Sequence, residues 1–211
     1  MPVLIINHRV NTIRQLSSVP LDHGAEIDIR YHNNDLIIHH DPFQHQNNKP
    51  ELLKNLLEHW THSGPLILNL KTEGVEEECI SLMDFYKIKK WFFLDMSMPF
   101  MVRYSLITNS ESSNISPSNL AVRFSEYEPI EYALSFSGRA LWVWVDCFNY
   151  LPLDLENYEK LKNAGFKICI VSPELQNHPL SKILDFKNHI KNMEIDAVCT
   201  KSPELWLADD I

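Results

Sequence analysis

The sequence predicts an α/β chain folded as a (β/α)8 barrel, compact and with some helices shortened or missing. Three observations lead to that expectation. Eight short apolar runs recur along the 211 residues, at 3–7, 24–30, 65–70, 91–95, 120–124, 140–146, 166–171 and 196–200. Amphipathic stretches separate several of them, and strands alternating with helices imply a parallel sheet that eight repeats can close. Charged side chains gather at the C-terminal ends of runs whose bodies are apolar, which is the end where such barrels build their sites.

Taken in order, the first run ends in Asn7-His8-Arg9, and residues 10–23 are too few and too polar for a full helix. In 24–30, Ile27 and Ile29 share one strand face, while Glu26, Asp28 and Arg30 share the other. A turn at Asn33-Asn34 leads to Leu36-Ile37-Ile38 and then His39-His40-Asp41. Helix-like stretches follow at 50–62, 75–86, 129–135, 157–164 and 180–193. In the first, Leu52, Leu53, Leu56 and Leu57 share a face, and Pro50-Glu51 suits an opening turn. In 66–71 the three leucines turn toward helices, and Ile67, Asn69 and Lys71 turn inward. Likewise Val143 and Val145 face helices, whereas Trp142, Trp144 and Asp146 face the barrel interior. Trp142 reads as barrel filling, and Trp144 lies nearer the mouth. The stretch 109–119, rich in serine and asparagine, reads as an exposed loop. Residues 1–211 are expected to form a single domain, shorter than the roughly 250 residues typical of such barrels.

Composition narrows the function. With 45% hydrophobic residues and five tryptophans the chain can bury a core. A formal charge of −9 without a basic cluster excludes a nucleic-acid groove. No apolar run is long enough to span a bilayer, and no leader pattern precedes Val3, so a cytoplasmic protein is expected. The four cysteines lie in apolar or helical runs with no C-x-x-C spacing, which suggests buried thiols without zinc. Eight of the ten histidines fall within the first 62 residues; His23, His32, His45, His59 and His62 read as surface residues.

The chemistry points to the first third of the chain. Two carboxylates two residues apart on a strand face, with an imidazole returned beside them, suit a divalent cation and an acid/base group. Strand ends add Lys71, Asp95, Arg123, Glu126 and Asp146, with Glu174 and Lys201 beyond. A lysine turned into the barrel calls for an anion, and phosphate is the natural candidate. Alternation alone does not choose between His39 and His40.

The order His8-Arg9, Asn11-Thr12, Glu26-x-Asp28, His40-Asp41 and Asn69-x-Lys71 resembles the glycerophosphodiester phosphodiesterase family, over residues 3–72. The resemblance implies a TIM barrel, a divalent metal (Mg2+ or Ca2+), and two histidines acting on a small-molecule phosphodiester. Carried onto this sequence, it makes His8 and His40 the general acid/base pair. Glu26, Asp28 and Asn69 become metal ligands, and Arg9, Lys71 and Arg123 phosphate-binding residues. Asp95, Glu126, Trp144 and Asp146 are further mouth candidates. It also implies that a neighbouring substrate hydroxyl attacks first, giving a cyclic phosphate that water opens. Two positions depart from the family pattern: Asn69 stands where a metal-binding glutamate is usual, and Val10 where a glycine follows His-Arg. The alternative is a catalytically degenerate barrel that binds a phosphodiester or sugar phosphate, in lipid or surface-polysaccharide metabolism. A scaffold role would rest on the aromatic segment 91–104 being exposed.

Overall fold

The computed structural model describes residues 3–43, 49–110 and 113–208. Ten strands form one sheet: β1 (Leu4–Asn7), β2 (Gly24–His32), β3 (Asp35–Ile38), β4 (Glu51–Leu52), β5 (Leu66–Leu70), β6 (Trp91–Leu94), β7 (Ala121–Phe124), β8 (Trp142–Val145), β9 (Lys167–Val171) and β10 (Ala197–Thr200). Eight of them run parallel in the order β7-β8-β9-β10-β1-β2-β5-β6. Between β6 and β7 there is no regular ladder. A single parallel bridge joins Phe93 to Leu120, and the Asn119 amide donates to the Trp91 carbonyl oxygen at 3.0 Å. The architecture is thus the α/β barrel that the eight apolar runs predict, and each run contains one parallel strand.

The helices are short, as the chain length requires: α1 (Ile13–Leu16), α2 (Leu53–Glu58), α3 (Glu76–Phe85), α4 (Met98–Ser105), α5 (Ile130–Leu134), α6 (Leu155–Asn163), α7 (Lys182–Ile190) and α8 (Pro203–Leu207). After β1 the crossover carries only the single turn of α1, capped by the Thr12 hydroxyl accepting from the Gln15 N–H at 3.1 Å. Alternation sets the core: Ile27, Ile29, Leu66 and Leu68 are fully buried, each contributing about 1.5–3 kcal/mol. Gly24 is required where β2 starts, because a Cβ there would sit 2.5 Å from the Pro65 carbonyl oxygen.

Two expectations are corrected, and the alternative of an exposed aromatic segment is not met. Residues 50–52 do not open a helix: Glu51 and Leu52 pair with Ile38 and Ile37, and α2 begins at Leu53. The short ladder covers the outer edge of β3, a tertiary pairing that outweighs the helix-start signal. The segment 91–104 is not an exposed aromatic face, since Trp91, Phe92, Phe93 and Tyr104 are buried. Its aromatic rings therefore belong to the core, while Met98 and Val102 are the large apolar side chains it exposes. Finally, His23 is buried rather than on the surface, its ring against the Asn7 amide at 3.2 Å. His45 and residues 111–112 of the expected loop lie outside the described residues.

The antiparallel pair β2–β3 positions the site. Asn33 and Asn34 both take positive φ, 50° and 65°, the left-handed conformation that a two-residue hairpin turn requires. The hairpin therefore folds back over β2, with Ile29 opposite Ile38, and delivers His39 and His40 to the barrel mouth.

Candidate active site

At the C-terminal ends of the strands lies a cavity of about 340 Å³, lined by His8, Arg9, Glu26, Asn69, Lys71, Asp95, Arg123, Trp144 and Asp146 among others. Its floor is Glu26, fully buried, whose two oxygens serve different partners. Oε1 accepts from the Asn69 amide at 2.7 Å, and Oε2 accepts from the Arg9 backbone N–H at 2.7 Å. The Val10 N–H also donates to the Glu26 carbonyl at 2.8 Å, so the His8-Arg9 turn is fastened to β2 on both sides. Arg9 takes φ of 55° to make that turn, a conformation costly for a side-chain-bearing residue.

Asp28, on the same face, is held by Asn11. The Asn11 amide donates to Asp28 Oδ2 at 2.8 Å and its oxygen accepts from the Asp28 N–H at 3.0 Å. Asp28 Oδ1 is buried and accepts no hydrogen bond among the described residues. The nearest charge to it is the Lys71 ammonium at 3.6 Å. Lys71 itself donates to Asn69 Oδ1 at 2.7 Å and to Asp95 at 3.1 Å.

The two expected catalytic histidines sit differently. His8 Nε2 lies 3.7 Å from Glu26 Oε2. Burial, then the nearby charges of Arg9, Lys201 and Lys71, depress its pKa to about 3, so the imidazole is neutral. His40 stands at the rim: its Nε2 faces the Arg9 guanidinium at 2.6 Å and its Nδ1 faces Asp41 at 2.8 Å. His39 instead turns to the Asp41 carbonyl at 2.7 Å, so His40 is the one joined to the cavity through Arg9.

Across the mouth, Arg123 is bound on both ends, to Asp95 and to Asp146, with Glu128 3.6 Å from its Nε. Burial opposes ionisation of Asp95, yet Arg123 and Lys71 hold its carboxyl below the usual range. The guanidinium expected to bind phosphate is therefore already paired with carboxylates. Glu126 does not line the cavity; its carboxylate accepts the backbone N–H of Phe148 at 3.3 Å and that of Asn149. Trp144 and Asp146 do line it, whereas Trp142, two residues earlier on β8, stacks on Phe92 at 5.0 Å.

Three side chains add to the site beyond those expected. Arg30, in phase with Glu26 and Asp28, donates to the His40 carbonyl and to that of Lys71. Asp41 orients His40. Gln176, at the end of the 3-10 turn Pro173–Gln176, donates to Asp146 at 2.7 Å. The phase of Arg30 was a usable signal; Gln176 carries none in the sequence.

Whether these residues suit a divalent cation can be judged from the carboxylates. Burial, then the charge of Asp28, pushes Glu26 up to about 7, and Asp28 retains an oxygen with no donor. Both conditions would be relieved by a cation between them. No group of three or more His, Cys, Asp or Glu side chains converges as a metal cage among the described residues. Glu26 and Asp28 are thus the two carboxylates that a hard divalent cation could take as protein ligands, the rest of its shell coming from water and phosphate oxygens.

No protein-family model matches the sequence, and no curated protein matches it. By structure, the chain is similar to a glycerophosphodiester phosphodiesterase from Agrobacterium tumefaciens, with TM-score 0.69, 14% identity, and coverage of 98% of this chain and 100% of that one. It is similar also to a glycerophosphoryl diester phosphodiesterase from Parabacteroides distasonis, with TM-score 0.67, 12% identity, and coverage of 97% and 85%. The tryptophan synthase α subunit of Campylobacter jejuni matches too, with TM-score 0.56, 10% identity, and coverage of 99% and 91%. At such identities the likeness establishes the barrel, and one barrel hosts many chemistries.

Proposed function

We propose that this chain is a phosphoric diester hydrolase acting on a small glycerophosphodiester-like substrate by histidine acid/base catalysis. The observation that carries the reading is the pairing of Glu26 and Asp28, buried on one strand face, with His8, Arg9 and Lys71 turned into the same cavity. The two phosphodiesterases of the same fold support it.

In this reading Glu26 and Asp28 would hold a divalent cation, whose charge would stabilise the phosphate and make its phosphorus more electrophilic. Lys71 supplies a point charge to the phosphate, and Arg9 turns from His40 to grip it with paired hydrogen bonds. That movement releases His40 Nε2. His8 accepts the proton of the attacking hydroxyl once the bound phosphate offsets the Arg9 and Lys71 charges that otherwise oppose its protonation. Once Arg9 has left, His40 Nε2 takes a proton from solvent and, with Nδ1 oriented by the Asp41 carboxylate, delivers it to the departing alkoxide. Asn69 links Glu26 to Lys71 in the described arrangement, so its amide oxygen reaches the cation only if Lys71 gives it up.

The test is a panel of phosphodiesters incubated with the protein and Mg2+, Mn2+ or Ca2+, with monoester release measured. Absence of turnover on every diester with every ion would defeat the reading. A second reading, a barrel that binds a phosphodiester or sugar phosphate without cleaving it, is favoured by the closed Glu26–Asn69–Lys71 chain of hydrogen bonds. It predicts ligand binding that survives His8→Ala and His40→Ala alongside zero turnover.

A further inference from the structure

At the N-terminal ends of the strands, opposite the mouth, lies a second cavity of about 340 Å³. Four residues that open strands line it: Leu4 on β1, Trp91 on β6, Trp142 on β8 and Lys167 on β9. Ser118, just before β7, lines it as well, so it lies along the seam where β6 and β7 share no regular ladder. In barrels of this kind that end ordinarily serves stability. Here it shares no lining residue with the cavity at the mouth.

Its polar groups are almost all donors. Lys89, Lys90 and Lys167 line it, and none of the three is paired with a carboxylate among the described residues. Lys90 spends one N–H on the Ser63 carbonyl at 3.0 Å, and the Lys167 ammonium stands 5.5 Å from the centre of the Trp142 ring. Both keep further N–H groups to give. Asp196 is the one acidic side chain in the lining, and it is taken: Oδ2 accepts from Lys162 at 3.0 Å and from the Ile168 N–H at 2.8 Å. On a chain of net charge −9, this end is therefore locally positive. The indoles add to it. Trp91 and Trp142 are 5% and 8% exposed, yet neither N–H donates to any group among the described residues. Trp206, equally buried, does find a partner in the Ser172 hydroxyl at 2.7 Å. A buried indole N–H ordinarily has one.

Phe92 stacks on Trp142 and Lys167 stands over it, so Trp142 offers an occupant its N–H edge rather than a ring face. Pro65, Phe92 and Leu141 supply apolar wall, and the volume is at the small end for ligand sites. Donors without acceptors, beside apolar wall, match an oxyanion on a compact apolar body. We infer that the base of the barrel binds a small organic anion, a carboxylate or phosphate, whose oxygens accept from the lysine ammonium groups and from the indole N–H groups of Trp91 and Trp142. This site lies apart from the mouth and adds a second ligand to the one proposed there.

Heteronuclear NMR of the full chain reads each assigned indole N–H separately and so locates the binding. The probes are benzoate, phenyl phosphate, benzyl alcohol and benzylamine. At least one of the two anions should shift the Trp91 and Trp142 signals saturably, and which one does so distinguishes carboxylate from phosphate. Benzyl alcohol and benzylamine, at the same concentrations, should shift neither. A shift of Trp144 reports the mouth instead. The double variant Lys89→Gln, Lys90→Gln changes exposed side chains outside the core, and it should raise the dissociation constant of that anion about tenfold, the scale of two partly exposed charge contacts. No shift of Trp91 and Trp142 with either anion, an equal shift with benzyl alcohol, or an unchanged dissociation constant in the double variant would overturn the inference. Diester turnover by the same protein is measured independently, so either reading can fall alone.

Discussion

The guanidinium of Arg30 holds the main-chain oxygen of His40 through Nε at 3.0 Å and Nη2 at 2.8 Å, and its Nη1 reaches the Lys71 carbonyl at 3.2 Å. One side chain thus fixes the hairpin end that carries His40 against the strand end that carries Lys71. Arg30 is a positioning residue. Lysine cannot reproduce the three-bond fork. Arg30→Lys should lower kcat by about 10- to 100-fold, the scale of a small misplacement of a reacting group. The concentration of Mg2+ giving half-maximal activity should stay constant. A matching fall in metal affinity would show that the whole site, rather than His40, had shifted.

Removing either imidazole gives a larger effect. His8→Ala and His40→Ala should each cost about 10²- to 10⁴-fold in kcat. Asp41→Asn, which preserves a partner for Nδ1, should cost less than His40→Ala. Steady-state rates with a chromogenic diester check the order, and equal losses for Asp41→Asn and His40→Ala would contradict the orienting role.

Asn69 separates two arrangements. Asn69→Glu places a third carboxylate beside Glu26, so in the absence of metal the melting temperature should fall, and Mg2+ should restore more stability to the variant than to the parent. Asn69→Leu should show the smaller Mg2+-dependent rise. Thermal melts with and without Mg2+ read this directly, and an unchanged metal response in both variants would place Asn69 outside the metal's reach.

Glu26 predicts a pH dependence. Its folded pKa, raised to about 7 from an ordinary value of 4.5, means the folded chain binds more protons than the unfolded one between those limits. Stability contributed by the protonated carboxyl is therefore present at low pH and lost as pH rises through 7. In metal-free protein, Glu26→Gln removes this loss, so the stability of the variant relative to the parent should increase from pH 5 to pH 8. Denaturant unfolding at several pH values measures the difference, and saturating Mg2+ should abolish the trend by keeping the carboxylate ionised.

Arg123 distinguishes frame from ligand. If it braces Asp95 and Asp146, Arg123→Gln leaves two carboxylates facing each other and should destabilise the fold by about 3 kcal/mol. If it binds phosphate, KM should rise with the melting temperature unchanged. The pairing seen here predicts the first outcome.

The barrel was legible because apolar period and strand spacing are local properties. Ile27 and Ile29 alternate with Glu26 and Asp28 whatever the rest of the chain does, and the structure buries all four. The hairpin turn was legible from Asn33-Asn34 for the same reason. Residues 50–52 were misread because their partner strand lies thirteen or more residues away, and propensity knows nothing of that edge. Arg123 looks identical in sequence whether it faces a ligand or two carboxylates, since Asp95 and Asp146 arrive from neighbouring strands 28 and 23 residues distant. Gln176 and Phe148 sit in irregular turns with no period to betray them. Side-chain partnerships across strands are what a single sequence conceals.

The β3 hairpin is the only antiparallel excursion among the described strands, and it alone carries His40. In this arrangement, one member of the proposed acid/base pair belongs to the ring of parallel strands and the other to an appendage outside it. The appendage is nonetheless tied to the ring: the His39 N–H donates to the Asp28 carbonyl at 2.9 Å, and Leu36, Ile37 and Ile38 are buried, so a change in the hairpin that moves His40 also reaches the strand that carries Glu26 and Asp28.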